Sequence, residues 1–216
     1  MMLPDQASAA GSVCYGKPGR GRLVAGVQLP LEGENFTAYS TAASLAGRTY
    51  VHSRVAGIVV TAYQSLATSR PHTKFVYGET GWPRGGKFRP HRTHQNGLSV
   101  DFFVPVLDTN GRSQPMPTSS WNKFGYGLEF DQLGRMPGLR IDFEAMAEHL
   151  VALDKAATAA GAGLSQVIVD REYLPLLYAT RHGPWLKRRV HFLARKPWIR
   201  HDEHYHVDFQ LPCRPL

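Results

Sequence analysis

Between His204 and Leu211 polar and apolar residues alternate: Tyr205, Val207, Phe209 and Leu211 on one side, His204, His206 and Asp208 on the other. Successive side chains of a β-strand point to opposite faces. The segment therefore predicts a strand that packs one apolar face into a core and gathers two imidazoles and a carboxylate on the other. Such a cluster is costly to bury unless something coordinates or hydrogen-bonds it. This demand constrains the fold more than any other feature, because a neighbouring element has to bring complementary groups to that face.

Five of the ten histidines lie in two short runs, His91 to His94 and His201 to His206, and the first run supplies a complement. The segment Leu98–Val104 reads as a strand in which Asp101 faces away from Leu98, Val100 and Phe102. His94 precedes it by a turn containing Gly97, which can fold the ring back over Asp101. His94, Asp101 and His206 together offer two neutral nitrogens and one carboxylate. Three such ligands with a fourth position open to water describe a catalytic zinc site. A lone histidine, or an HxH pair by itself, is more often structural than ligating. The two spaced elements together point to a metal, and a nonspecific surface cluster does not explain an aspartate at the paired strand position. Asp208 reads as structural.

The rest of the chain frames these motifs. At 216 residues it has one domain's length, enough to bury a core without staples. Residues 1–12 read as a flexible N-terminus and 13–216 as a single domain. No apolar run approaches the roughly 20 residues of a membrane span. Apolar positions from Val51 to Leu66 lie on one helical face, ended by Pro71. Asp142 reads as the cap of a second helix that stops at Gly161 and Gly163, and Glu172 to His182 as a third. Short strands are predicted at Phe75–Tyr77, Leu139–Ile141 and Val167–Val169. Residues 105–137, rich in proline, glycine and aromatic residues, read as a structured binding excursion. Helices and strands interleave without regular βαβ spacing, which favours an α+β fold. The net charge of +8 favours an anionic partner, such as nucleic acid or a cell-wall polymer. Lys187, Arg188, Arg189, Arg195, Lys196 and Arg200, interleaved with Trp185, Phe192 and Trp198, read either as a solvated surface or as a polymer contact. Trp82, Trp121 and Tyr126 read as groove lining or as core plugs. Cys14 and Cys213 are either free thiols or one bridge joining the two ends, depending on compartment. The first dozen residues lack the basic and apolar regions of a complete signal peptide, and the ASAA stretch reads as a remnant of one or as a plain flexible segment.

The segments HRTHQNGLSVD (His91–Asp101) and HDEHYH (His201–His206) resemble the signatures of the penicillin-insensitive murein endopeptidases. These are zinc peptidases related to the D-Ala-D-Ala peptidases and the hedgehog domain. SVCYGKPGRGRLVAGVQLP and VYGETGW extend the likeness over nearly the whole chain. Ser99 departs from the family pattern, which usually has aspartate there. The resemblance implies a hedgehog-like α+β fold with a central antiparallel sheet and about three helices, and zinc held by His94, Asp101 and His206. It implies that His91, His201 and His204 are active-site histidines that orient water or substrate and stabilise an oxyanion. By the spacing of the related peptidases, Glu203 is implied as general base, with His204 the other candidate. Strict strand alternation would point Glu203 away from His206, so that role requires an irregular start to the strand.

The implied reaction is hydrolysis of D-Ala–meso-diaminopimelate cross-links in peptidoglycan, with no nucleic-acid partner. It places the protein in the periplasm or outside the cell, where Cys14–Cys213 is oxidised. Two further readings stand beside it: a zinc D,D- or L,D-carboxypeptidase that trims stem peptides, and a non-catalytic zinc-containing binding domain. A basic nucleic-acid-binding module is a separate class, marked by affinity that falls steeply with salt.

Overall fold

The alternating segment forms the second strand of a five-stranded sheet. A computed structural model describes residues 11–195, 197 and 199–216. The sheet comprises β1 (Phe36–Ala38), β2 (Phe75–Tyr77), β3 (Ser99–Phe103), β4 (Gly163–Ile168) and β5 (His204–Gln210), in the order β4-β5-β3-β2-β1. Residues 1–10, which hold most of the expected flexible N-terminus, lie outside the described residues, as do Lys196 and Trp198.

The antiparallel pairing of β5 with β3 fixes the register: His206 lies opposite Asp101, Asp208 opposite Ser99 and His204 opposite Phe103. On the other face Val100, Phe102, Tyr205, Val207 and Phe209 are buried against two long helices, α1 (Ser53–Ser69) and α2 (Phe143–Ala159). Helix α1 presents Val55, Ile58, Val59, Ala62, Tyr63 and Leu66 to this core and ends at Arg70, before Pro71. The Asp142 carboxylate accepts from the Ala145 N–H at 2.9 Å, so α2 begins where its cap was read. Each large side chain buried here contributes roughly 1.5–3 kcal/mol. One sheet face is thereby committed to the core, and the other is left for the histidines.

The α+β class holds, and the structure refines its details. The sheet is mixed, because β1 pairs parallel with β2. The connection between them includes α1 and returns the chain in the same direction, as a parallel pair requires. The expected third helix is broken into a 3₁₀ turn (Arg171–Tyr173) and a short helix (Leu174–Tyr178), with Pro175 in its first turn. A further helix, Gly183–Arg189, has Pro184 in its first turn and runs into the segment read as a basic run. With Thr41–Leu45 there are five α-helices and two 3₁₀ turns among the described residues. Strand β4 begins four residues before the strand read from its β-branched residues. The 105–137 excursion is anchored by a small four-stranded sheet built from Val106–Leu107, Ser113–Gln114, Arg135–Met136 and Leu139–Ile141. No helix of the described residues is long and apolar enough to cross a membrane.

Cys14 and Cys213 form a disulfide. Beside it the Arg214 N–H donates to the Cys14 carbonyl and the Gly16 N–H to the Arg214 carbonyl, each at 2.9 Å. The end of the chain thus docks on the N-terminal hairpin, Val13–Lys17 with Arg20–Val24. Closing so long a loop restricts the unfolded chain, so Cys14→Ser/Cys213→Ser is expected to lower stability by about 2–4 kcal/mol in denaturant titration.

Candidate metal centre

Two imidazoles converge on one carboxylate oxygen. Asp101 is fully buried on β3, and its Oδ1 lies 2.9 Å from His206 Nδ1 and 3.2 Å from His94 Nε2. His94 reaches this position through a left-handed backbone (φ 65°), followed by Gly97 at φ 77°. A side chain other than glycine's is seldom held in the left-handed region without surroundings that enforce it. The turn sets the ring by letting His94 Nδ1 donate to the Thr80 carbonyl at 3.1 Å. That bond fixes the tautomer and leaves the Nε2 lone pair buried, with no hydrogen-bond partner. His206 is fixed in the same manner. Its Nε2 lies 2.8 Å from Asp208 Oδ1, which also accepts from the Ser99 hydroxyl at 2.6 Å.

Donor atoms about 2.1 Å from an ion in tetrahedral array stand about 3.4 Å apart, close to the spacing seen around Asp101 Oδ1. The orphaned nitrogen, the two fixed rings and the buried carboxylate fit a small dication. His91 joins from the side: the ligand atoms of His91, His94 and Asp101 lie within 4.8 Å of one another and could hold a metal ion.

Electrostatics reinforce the geometry. Burial alone would raise the Asp101 carboxyl, but the surrounding imidazoles hold it well below the usual carboxylate range. Burial keeps His94 neutral by pulling its pKa down. His206 also feels burial, yet the Asp208 and Asp101 carboxylates push it up to about 10. The ring set between the two buried carboxylates is thus where this pocket favours positive charge.

A second layer encloses the centre. Glu79, buried just after β2, accepts from His91 Nε2 at 2.5 Å, from the Tyr39 hydroxyl at 2.9 Å and from the Arg48 guanidinium. The Tyr126 hydroxyl donates to Asp101 Oδ2 at 3.1 Å and accepts from the Glu79 N–H at 2.9 Å. Gly78 makes this fit, because a Cβ there would lie 2.5 Å from the Tyr126 hydroxyl. Glu79, Tyr39 and Arg48 belong to no spaced histidine motif, and Glu79 lies within VYGETGW. The available signal was an acidic residue directly behind a fully apolar strand.

The centre opens into a cleft of about 580 Å³ lined by His91, Asp101, His201, Glu203, His204 and His206, among others. The chain bends at Asp202–Glu203 immediately before β5. This is the irregular strand start that Glu203 required, and it lets Glu203 face the cleft together with His204 and His206. Burial pushes the Glu203 carboxyl up to about 8 and His204 down to about 4. Glu203 Oε1 and His204 Nδ1 share a hydrogen bond of 2.8 Å. His201 Nδ1 donates to the Ile199 carbonyl at 2.9 Å, and burial lowers its pKa to about 3. Asp208 does more than support the strand, since it holds the His206 ring.

The aromatic candidates separate. Tyr126 lines the cleft, whereas Trp82 does not and donates to the Lys87 carbonyl at 3.2 Å. Trp121 is 96% exposed and also lies off the cleft. The described members of the basic stretch have different surroundings. Arg189 pairs with Asp154 at 3.2 Å and Arg200 with Asp170 at 2.7 Å, while Arg195 lines the cleft.

No curated protein matches the chain. The family profile described as penicillin-insensitive murein endopeptidase matches residues 14–215, spanning every element of the fold and every residue of the metal centre. The chain belongs to the penicillin-insensitive murein endopeptidase family, and is therefore of a peptidase, hydrolase class that acts on peptidoglycan.

Proposed function

We propose that the protein is a zinc-dependent endopeptidase that cleaves D-Ala–meso-diaminopimelate cross-links of peptidoglycan, with zinc held by His94, Asp101 and His206. The observation that carries the assignment is the buried, unpartnered His94 Nε2, set beside His206 Nδ1 on one Asp101 oxygen. Zinc at this position would lower the pKa of its water toward 7 and polarise the scissile carbonyl.

The surrounding residues divide the remaining work. Glu203, raised by burial, has a proton affinity suited to taking the proton of the attacking water and returning it to the leaving amine. His204 fixes the Glu203 carboxyl through the 2.8 Å bond and is the alternative base. His201 is neutral and donates through Nδ1, so its Nε2 accepts from water or from a substrate N–H. His91, lowered by burial but raised further by Glu79 and Asp101, is the better donor to the developing oxyanion. Residues 13–216 act as one peptidase domain, outside the cytoplasm, where the Cys14–Cys213 bridge is maintained. A second ligand arrangement, with His91 in place of His206, is favoured by the close grouping of His91, His94 and Asp101.

Cross-linked muropeptide dimers are expected to be converted to monomers, and a zinc chelator to stop the reaction, as read by mass spectrometry. Loss of a terminal residue alone would mark a carboxypeptidase, and no conversion by the zinc-loaded protein would mark a binding domain. His206→Ala is expected to abolish stoichiometric zinc in elemental analysis while His91→Ala retains it; the reverse result would establish the second arrangement. Glu203→Gln is expected to keep zinc and to lower kcat by about a hundredfold or more, and near-normal turnover would remove Glu203 from the mechanism.

A further inference from the structure

The cleft is lined by two cations that form no salt bridge within the fold among the described residues. Lys123 and Arg195 both line the cleft and both are exposed. Neither side chain has a carboxylate partner among the described residues. The acidic groups of the cleft are already engaged: Glu79 by His91, Tyr39 and Arg48, Asp101 by the imidazoles and Tyr126, and Glu203 by His204.

The topology sets the two cations apart. Lys123 sits on the Ser120–Gly125 turn, where the Phe124 ring meets Tyr39, the residue after β1, edge-on at 6.3 Å. Arg195 follows Leu193, whose N–H donates to the Val167 carbonyl of β4 at 2.9 Å. Strands β1 and β4 are opposite edges of the sheet, while β5 and β3, which carry His206 and Asp101, lie between them.

The Lys123 side of the cleft is built at a conformational cost. Lys123 (φ 53°) and Phe124 (φ 58°) are consecutive non-glycine residues in the left-handed region. They are held there by Asn122, whose Oδ1 accepts from the N–H groups of Ser119 (2.9 Å) and Gly125 (2.8 Å). The Asn122 amide also donates to the Pro117 carbonyl at 2.8 Å. Strain of this kind persists where the surroundings over-determine it, and it clusters at ligand clamps.

We propose that Lys123 and Arg195 form a two-ended carboxylate clamp, each binding a free carboxylate of the peptide substrate on either side of the scissile bond. The inference rests on the peptidase reading above. A cross-linked wall peptide carries free carboxylates on both of its stems. The clamp lays such a peptide across the strands, with the reacting carbonyl over Asp101 and His206. Arg195 offers a planar fork for a bidentate carboxylate and Lys123 a point charge. Both are exposed, so the clamp weakens with added salt.

The test uses the zinc-loaded full chain and the variants Lys123→Asn, which suits the left-handed backbone, and Arg195→Gln. The substrates are a muropeptide dimer with free carboxylates and the same dimer with those groups amidated. Each variant is expected to raise KM for the carboxylated dimer about five- to tenfold, with a smaller change in kcat and full zinc content. On the amidated dimer the wild type and the variants are expected to converge. Equal KM for wild type and both variants on the carboxylated dimer would overturn the clamp. Should the wild type cleave neither dimer, the peptidase reading falls. Calorimetry with the uncleaved dimer and its amidated form then decides the clamp separately: carboxylate-dependent binding that both variants weaken supports it, and its absence overturns it.

Discussion

Cross-strand pairing of His206 with Asp101 is the contact on which the site depends. Antiparallel register places the two residues directly opposite, and the same ladder puts Ser99 opposite Asp208. A slip of one residue would send His204, His206 and Asp208 into the apolar core and bring Tyr205 and Val207 to the cleft. The core prevents that slip. Phe102 stacks on Tyr205 with ring centroids 5.6 Å apart, and Tyr63 of α1 meets Phe102 edge-on at 6.3 Å. Packing on the hidden face therefore holds ligand geometry on the functional one.

The functional face is organised in layers that each answer a cost of burial. Asp101 is stripped of water and needs donors, which His206 and Tyr126 supply, while the His94 ring stands over it at 3.2 Å. Asp208 and Glu79 in turn hold His206 and His91, and Ser99, Tyr39 and Arg48 satisfy those two carboxylates. Ser99 donates to Asp208 from the directly opposite position of β3, so that carboxylate meets a hydroxyl across the ladder. A polar network in a low-dielectric interior holds its geometry best when every member is paired, and the exception here is His94 Nε2. That one unpartnered nitrogen, among fixed neighbours, is what gives the cluster a donor set that could hold a metal ion.

Much of this was legible in the linear chain because it follows from local periodicity. Alternation in β5 assigned the faces of His204, His206 and Asp208, and the position of Asp101 in β3 gave its complement. The Asp142 cap and Pro71 marked helix ends through the same local chemistry. Other features had no local signature. The sheet became mixed because of where α1 returns the chain, and the third helix broke between Tyr173 and Leu174 while a new one began at Gly183.

The boundary between the two kinds of information follows physical range. The sequence alone determined the α+β class, the polar face of β5 and the residue types of the metal centre, because side-chain alternation and capping act over a few residues. Only the tertiary structure decided that Glu203 turns into the cleft, that Glu79 and Tyr126 brace the centre, that Cys14 meets Cys213, and that Lys123 and Arg195 line one cleft. Those relations join residues tens to nearly two hundred positions apart, and no local preference encodes them. They arise when the buried face of the sheet closes against α1 and α2 and leaves the other face to be shaped by the loops that cross it.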